Sequence, residues 1–421
     1  MSNGAASRTS DGGLLPRVTR GADTLARGAA VALLLGVPTS IALVNIALLL
    51  LLLGWLAGGR WGPKWEAVRI NPISLPAALL TVWIGVGALY TPADPAVVKA
   101  HFYVYSKLPL MLVLLTLFDE PRWRARAWWA FAAGCLITLV STYANVWVQV
   151  PWSDSHNQGF GESHHVFNDY IAQGLATAVF VAWLAAQAWA TENARWRAGL
   201  IAVAALAVFS VTHLLAGRTG QVVLIALALA VIAVAVPLRR WWRPLLGLVA
   251  VVAVIVVSSP LIRERTGEVL DQARQYEQAG VVSTSTGARL DMWRHAMDMA
   301  AQSPVWGHGT GGYRALASQV YTDPVQCAIS CIHPHNQYLF FLVDHGVVGL
   351  ALYVWLLWAA AWAWRGRAVP ERVLAAGFLA VLVVDGFING PFWVTTERHL
   401  FASVLPLLMA GWAAHRAGAR P

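Results

Sequence analysis

The chain has 421 residues, 58% of them hydrophobic and 12% charged, with 22 Trp and a formal net charge of +9. A soluble domain carries roughly 25% charged residues, so this composition excludes an ordinary soluble globule and points to a membrane protein. The basic residues lie mainly between apolar runs, which assigns the positive charge to membrane topology and not to a nucleic-acid partner.

In chain order, residues 1–24 read as a polar cytoplasmic tail carrying Arg8, Arg17 and Arg20. No small-residue cleavage site follows a short apolar stretch, so no removable signal peptide is expected. A span needs about 20 mostly apolar residues. About twelve segments qualify: 25–38, 41–58, 71–90, 104–118, 127–149, 168–190, 198–215, 220–236, 244–259, 336–363, 373–388 and 399–415. The expected organisation is spans one to nine over 25–259, an outer loop domain over 260–335, spans ten to twelve over 336–415, and a short tail over 416–421. With the N-terminus inside, 20 of the 30 Lys and Arg residues fall on the cytoplasmic side, and six of the rest lie in the long loop. Long loops escape the positive-inside rule. The fold class expected is therefore an all-α polytopic membrane protein with both termini cytoplasmic and one large helical periplasmic loop.

Four cations oppose the topological bias: Lys99, Lys107, Arg218 and Arg398. A cation kept at the outer end of a span is costly and calls for a partner, so these four are candidates to converge on an anion. The competing reading is a lipid headgroup contact or a carboxylate pair. His164, His165 and Asn168, at the start of the sixth span, either line the same site or merely occupy the interface.

The loop over 260–335 opens with a helical stretch and breaks at "STSTG". It continues in an amphipathic helix whose expected apolar face is Leu290, Trp293, Met297 and Ala301, with Ser285 or Thr286 as its N-cap. Arg289 opens this helix. Like Arg218 it stays charged and can grip phosphate bidentately, although a solvated helix face is the plainer reading. "GHGTGG" (Gly307, Gly309, Gly312) fits the dinucleotide fingerprint only formally, because no strand precedes it. A turn that lets backbone approach another element is the better reading. Cys327, Cys331, His333 and His335 lie within nine residues, too close for easy tetrahedral closure around zinc, so a Cys327–Cys331 disulfide is favoured. His335 and Asn336 stand where the loop meets the tenth span. A neutral imidazole there can accept a proton, whereas Asn336 suits a helix cap. Asp344 and Asp385 sit inside spans, to pair with cations or touch substrate. The outer segments contain no D-x-D pair that would hold a divalent cation.

The segment "HPHNQYLFFLVDHGVVGL" resembles the His-Asn-x-x-Leu…Gly-x-x-Gly signature of the O-antigen ligase and polymerase superfamily. "GARLDMWRHAMDMAAQSPVWGHGTGGY" is similar to its Arg…Trp…Pro…Gly-x-Gly segment, and "GRTGQ" to its first arginine motif. The likeness covers the C-terminal half; the N-terminal half agrees in span number and orientation. It implies a GT-C-like glycosyltransferase of the inner membrane, inverting, metal-independent and without a cofactor. The implied donor is an undecaprenyl-diphosphate-linked O-antigen, and the implied acceptor a sugar hydroxyl of lipid A–core, at the periplasmic face. By the same resemblance His335 is the general base, and Arg218 and Arg289 hold the diphosphate. By position and charge alone, Asn336, Lys99 and Lys107 are candidates for further substrate contacts, and Arg398 for the lining of the site. An O-antigen polymerase or a protein O-oligosaccharyltransferase is the alternative within the superfamily. A transporter is the alternative outside it, but no matched pair of broken spans points there.

Overall fold

The computed structural model describes residues 14–155 and 159–418, and among these it is helical throughout, with no strand. The predicted tail segments 1–13 and 419–421 lie outside the described residues. The first helices are α1 (Leu14–Gly36), α2 (Ile41–Ala57), α3 (Trp61–Arg69), α4 (Ser74–Gly87), α5 (Pro95–Tyr105), α6 (Lys107–Leu117) and α7 (Pro121–Trp147). Then come α8 (Tyr170–Ala190), α9 (Ala194–His213), α10 (Arg218–Ala235) and α11 (Trp242–Ser258). The long loop between α11 and the last three helices holds α12 (Pro260–Ala279), α13 (Ser285–Gln302), α14 (Gly312–Val320) and α15 (Pro324–Ser330). The chain closes with α16 (Gln337–Ala363), α17 (Val369–Ile388) and α18 (Thr395–Gly418).

Each of the twelve apolar segments falls on a helix, but not each is a full span by itself. Among the described residues six helices are long and apolar enough to cross a membrane, or up to eight if each of two bent pairs counts as one. The third predicted segment, 71–90, is helical only over Ser74–Gly87. The fourth begins earlier than expected, at Pro95, and runs to Leu117 with a break at Ser106. Within the predicted N-terminal tail a helix already starts at Leu14, and Arg27 on that helix is buried. Its guanidinium is held by Asp23 at 2.9 Å and Asp119 at 2.6 Å.

The hairpin of α1 and α2 closes through Ser40, whose hydroxyl caps α2 by accepting from Leu43 N–H. Small residues set its spacing: a Cβ on Gly54 would lie 2.8 Å from the Ala22 carbonyl and 2.9 Å from the Ala26 nitrogen. Close backbone approach of this kind is how helices associate where lipid offers no hydrophobic drive between them. Two helices form the centre. In α18 every residue from Glu397 to Ala410 is buried, and α8 is apolar and buried on nearly all sides. A helix that is apolar all round belongs inside a bundle. By contrast α11 buries no residue, and it meets α12 at a bend of 93°. The gap between α9, α10, α11 and α12 is an apolar groove of about 390 Å³ lined by Val208, Gln221, Leu224, Val251, Ile255 and Thr266.

The Gly-rich turn has a structural task. Gly346 (φ +62°, ψ −168°) breaks α16. The carbonyls of Val343 and Asp344 then accept from His308 N–H at 2.9 Å and Gly309 N–H at 2.7 Å. The Asp344 carboxylate takes the N–H groups of Gly311 at 3.2 Å and Tyr313 at 2.6 Å, and faces His101 at 3.5 Å. Thr310 ties the same turn to α4 through the carbonyl of Ile84. The turn thus plugs a broken helix, and Asp344 is spent on holding it there.

Candidate functional site

Segments far apart in sequence, at the start of α10, on α13 and before α16, come together where the long loop joins the bundle. Arg218 is the first residue of α10. The turn before it is tight: a Cβ on Gly217 would lie 2.9 Å from the ring of Tyr170. Its Nη2 donates to Ser285 Oγ on α13 at 2.6 Å, while Nη1 is buried with no partner. The N-cap of α13 is Thr284, whose hydroxyl accepts from Gly287 N–H at 3.1 Å, and not Ser285 or Thr286. That leaves the Ser285 hydroxyl free to orient Arg218.

Arg289 follows one turn later on α13, half-buried, and makes no hydrogen bond or ion pair among the described residues. Burial, and next the neighbouring Arg218, lower its pKa from the usual arginine value. Two like charges in one partly dry space repel, and an anion between them would remove that cost. Four residues further, Trp293 donates its indole N–H to the Pro334 carbonyl at 2.9 Å, which binds α13 to the turn carrying His335.

His335 is half-buried and holds a left-handed backbone (φ +48°), uncommon for a residue with a side chain. Its own N–H donates to His333 Nδ1 at 3.1 Å, which stabilises that turn. Its ring is oriented by a relay that the sequence did not announce. Glu397 on α18 accepts from the Asn389 amide at 2.5 Å, which turns Asn389 Oδ1 toward His335 Nδ1 at 3.2 Å. Since Oδ1 only accepts, Nδ1 must carry the hydrogen, and Nε2 keeps its lone pair. Burial, and then the positive Arg289, pull the His335 pKa down to about 4, against a smaller raising effect of the Asn389 bond. At neutral pH the imidazole is therefore an unprotonated acceptor. Asp385 is buried close by, its carboxyl group against that of Glu397.

Other predicted residues serve the frame. Asn336 caps α16, accepting from Tyr338 and Leu339 N–H at 3.0 Å each and donating to the Phe387 carbonyl at 3.1 Å. Its oxygen is spent on the helix cap and its amide ties α16 to α17 beside His335. His164 is fully buried and bonded to the Gly159 carbonyl at 2.7 Å, so it does not line the site. His165 contacts Ser163 Oγ at 3.3 Å, and Asn168 donates to the Pro38 carbonyl at 3.2 Å. His333 is buried against His335 and Phe340, its pKa lowered first by burial. Cys327 and Cys331 are disulfide-bonded, so neither is a thiolate ligand. The expected apolar face of α13 is rotated: Met292, Ala296 and Met299 are buried, while Met297 is exposed.

The cations that oppose the charge bias divide. Lys99 stands exposed on α5. Lys107 and Arg398 are buried near the Tyr103 ring, with Lys107 Nζ 4.9 Å and Arg398 Cζ 5.4 Å from its centroid. A cation–π contact is worth about 0.5–2 kcal/mol, while burying a charge costs several kcal/mol per ion. The ring alone therefore does not offset two buried cations.

Residues 203–354, which carry Arg218, Arg289, His335 and Asn336, match a family model described as O-antigen ligase. A protein of Haemophilus influenzae (strain ATCC 51907 / DSM 11121 / KW20 / Rd), described as "Uncharacterized protein", is 25% identical over 253 residues, covering 58% of this chain and 61% of that protein. The chain thus spans about six tenths of the length of the curated relative it matches.

Proposed function

We propose, from the match of residues 203–354 to a family model described as O-antigen ligase, that this chain transfers a glycan from undecaprenyl diphosphate to a sugar hydroxyl of lipid A–core at the periplasmic face of the inner membrane. The observation that supports this most is the succession Arg218, Arg289, His335: Arg218 keeps one buried nitrogen unpaired, Arg289 neighbours it, and the neutral imidazole neighbours Arg289.

In this reading the acceptor hydroxyl gives its proton to His335 Nε2 as its oxygen attacks the anomeric carbon. The bond from that carbon to the diphosphate oxygen breaks, and the diphosphate leaves with the electron pair toward Arg218 and Arg289. Attack opposite the leaving group inverts the anomeric centre. General-base assistance contributes about 10²–10⁴-fold. Fixed positive charge aimed at the leaving group, in a partly water-excluded place, contributes at least a similar factor. The apolar groove begins at Gln221, one turn along α10 from Arg218, and suits the polyprenyl chain.

The test is a gel profile of lipopolysaccharide from a deletion strain, with the undecaprenyl-linked glycans extracted in parallel. Core lipid without O-chains, together with long polymers on the lipid carrier, is the expected result. Core lipid carrying single repeats would make the protein a polymerase, and two unchanged pools would end the glycan-transfer reading.

A further inference from the structure

A second cationic cluster lies beyond the Arg218–Arg289 pair. Lys107 and Arg398 are 7% and 5% exposed, and among the described residues neither has a carboxylate within ion-pair distance. The Lys107 ammonium reaches only Ser106 Oγ, at 3.4 Å. Arg398 donates Nη1 to the Trp393 carbonyl at 2.8 Å, and its Nε is buried with no partner. His399, also buried, follows in the same turn. Tyr103, whose ring both cations approach, is 60% exposed, so the cluster lies just beneath the molecular surface. Lys99 precedes Tyr103 by four residues on the same face of α5 and is exposed.

We propose that Lys107 and Arg398 form a second anion site, which takes the phosphate of a membrane lipid. Three observations select this chemistry. The buried Nε of Arg398 belongs to the guanidinium edge that meets phosphate bidentately, and Lys107 supplies a point charge. The exposed aromatic side chains beside the cluster, Tyr103 and Phe102, are of the kind that packs against lipid near a headgroup. Cations buried without a counter-ion in a span call for one. Trp393, which holds Arg398 by its carbonyl, also packs on His333 with ring centroids 6.4 Å apart, so the site adjoins the turn of His335. Resting on the transfer reading above, the lipid is the phosphorylated acceptor glycolipid, held by its phosphate while its sugar hydroxyl reaches Nε2.

The experiment uses the full-length protein in detergent. Native mass spectrometry measures binding of lipid A–core, of the same glycolipid after phosphatase treatment, and of phosphatidylglycerol, to wild type, K107Q/R398Q and K107R/R398K. The neutral variant should bind phosphorylated glycolipid at least about tenfold more weakly, because charge-assisted bonds are lost. The charge-preserving variant should keep most of the affinity, and undecaprenyl diphosphate should bind all three alike. Loss of phosphatidylglycerol binding with an unchanged KM for acceptor would identify the occupant as bulk headgroup, still a lipid phosphate. Unchanged binding by a folded neutral variant would overturn the proposal. Should that variant not fold, equal wild-type affinity for the phosphorylated and dephosphorylated glycolipids would overturn it instead. Wild type that binds by this pattern but transfers no glycan would keep the site and remove the transfer reading.

Discussion

At the scale of single residues, the chemistry depends on which nitrogen of His335 is free. Asn389 fixes that by accepting from Nδ1, and Glu397 fixes Asn389. His335→Ala should lower kcat by about 10²–10⁴-fold with unchanged protein abundance, measured with purified enzyme and lipid-linked donor. Asn389→Ala leaves the ring in place but frees its tautomer, so kcat should fall at least about tenfold while KM for donor stays. The acid limb of the pH profile gives an independent check. With the His335 pKa pulled down to about 4, its neutral form predominates above that value and is lost as pH falls through it. Activity should therefore hold between pH 5 and 7 and drop near 4, not near the ordinary 6.5. Arg289→Gln removes one of the two lowering influences, so the inflection should move upward in the residual activity. An inflection that stays put would show that Arg289 does not act on this imidazole.

At the scale of elements, a broken helix and a glycine turn are one device. The break at Gly346 frees carbonyls that His308 and Gly309 then satisfy, and buried backbone groups must find partners. A Cβ at Gly346 would run into the Val305 carbonyl, and one at Gly307 would come within 2.5 Å of the Asp344 backbone. Both glycines also hold positive φ, which costs a residue with a side chain about 1–2 kcal/mol. Gly346→Ala should therefore lower the thermal midpoint by several degrees and loosen the 303–313 turn to limited proteolysis. A variant as stable as wild type would mean the two elements need not touch. Through α13 the same construction reaches the site, since Met292, Ala296 and Met299 pack inward while Arg289 and Trp293 face the His335 turn.

At the scale of the whole molecule, a central α18 surrounded by other helices gathers residues from both ends of the chain. Arg398 from α18 meets Lys107 from α6, and Glu397 reaches Asn389 beside the His335 turn. The topology proposed from charge, with both termini cytoplasmic and 260–335 outside, is open to a direct check. Single cysteines introduced at Glu277 and Asp298 should react with a membrane-impermeant maleimide in whole cells, and cysteines at Arg195 and Arg367 should not. The reverse pattern would move the site to the cytoplasmic face.

The sequence alone determined much of this. Apolar runs marked where helices form, because only a helix satisfies its own backbone inside lipid. The motifs around Arg218, Arg289 and His335 were legible because each sits in a short local pattern. The Gly-rich turn was read as backbone approach and proved to be that. What only the tertiary structure decided are pairings across long separations, for which one sequence carries no signal. These include Asn389 and Glu397 behind His335, Ser285 holding Arg218, and Lys107 sharing a ring with Arg398. The buried face of α13 was missed for a related reason. Alanines and methionines pack inward there while Met297 is left outside, and a hydrophobic count does not distinguish them. Periodicity reports how apolar a face is; which face is covered depends on the partner that packs against it.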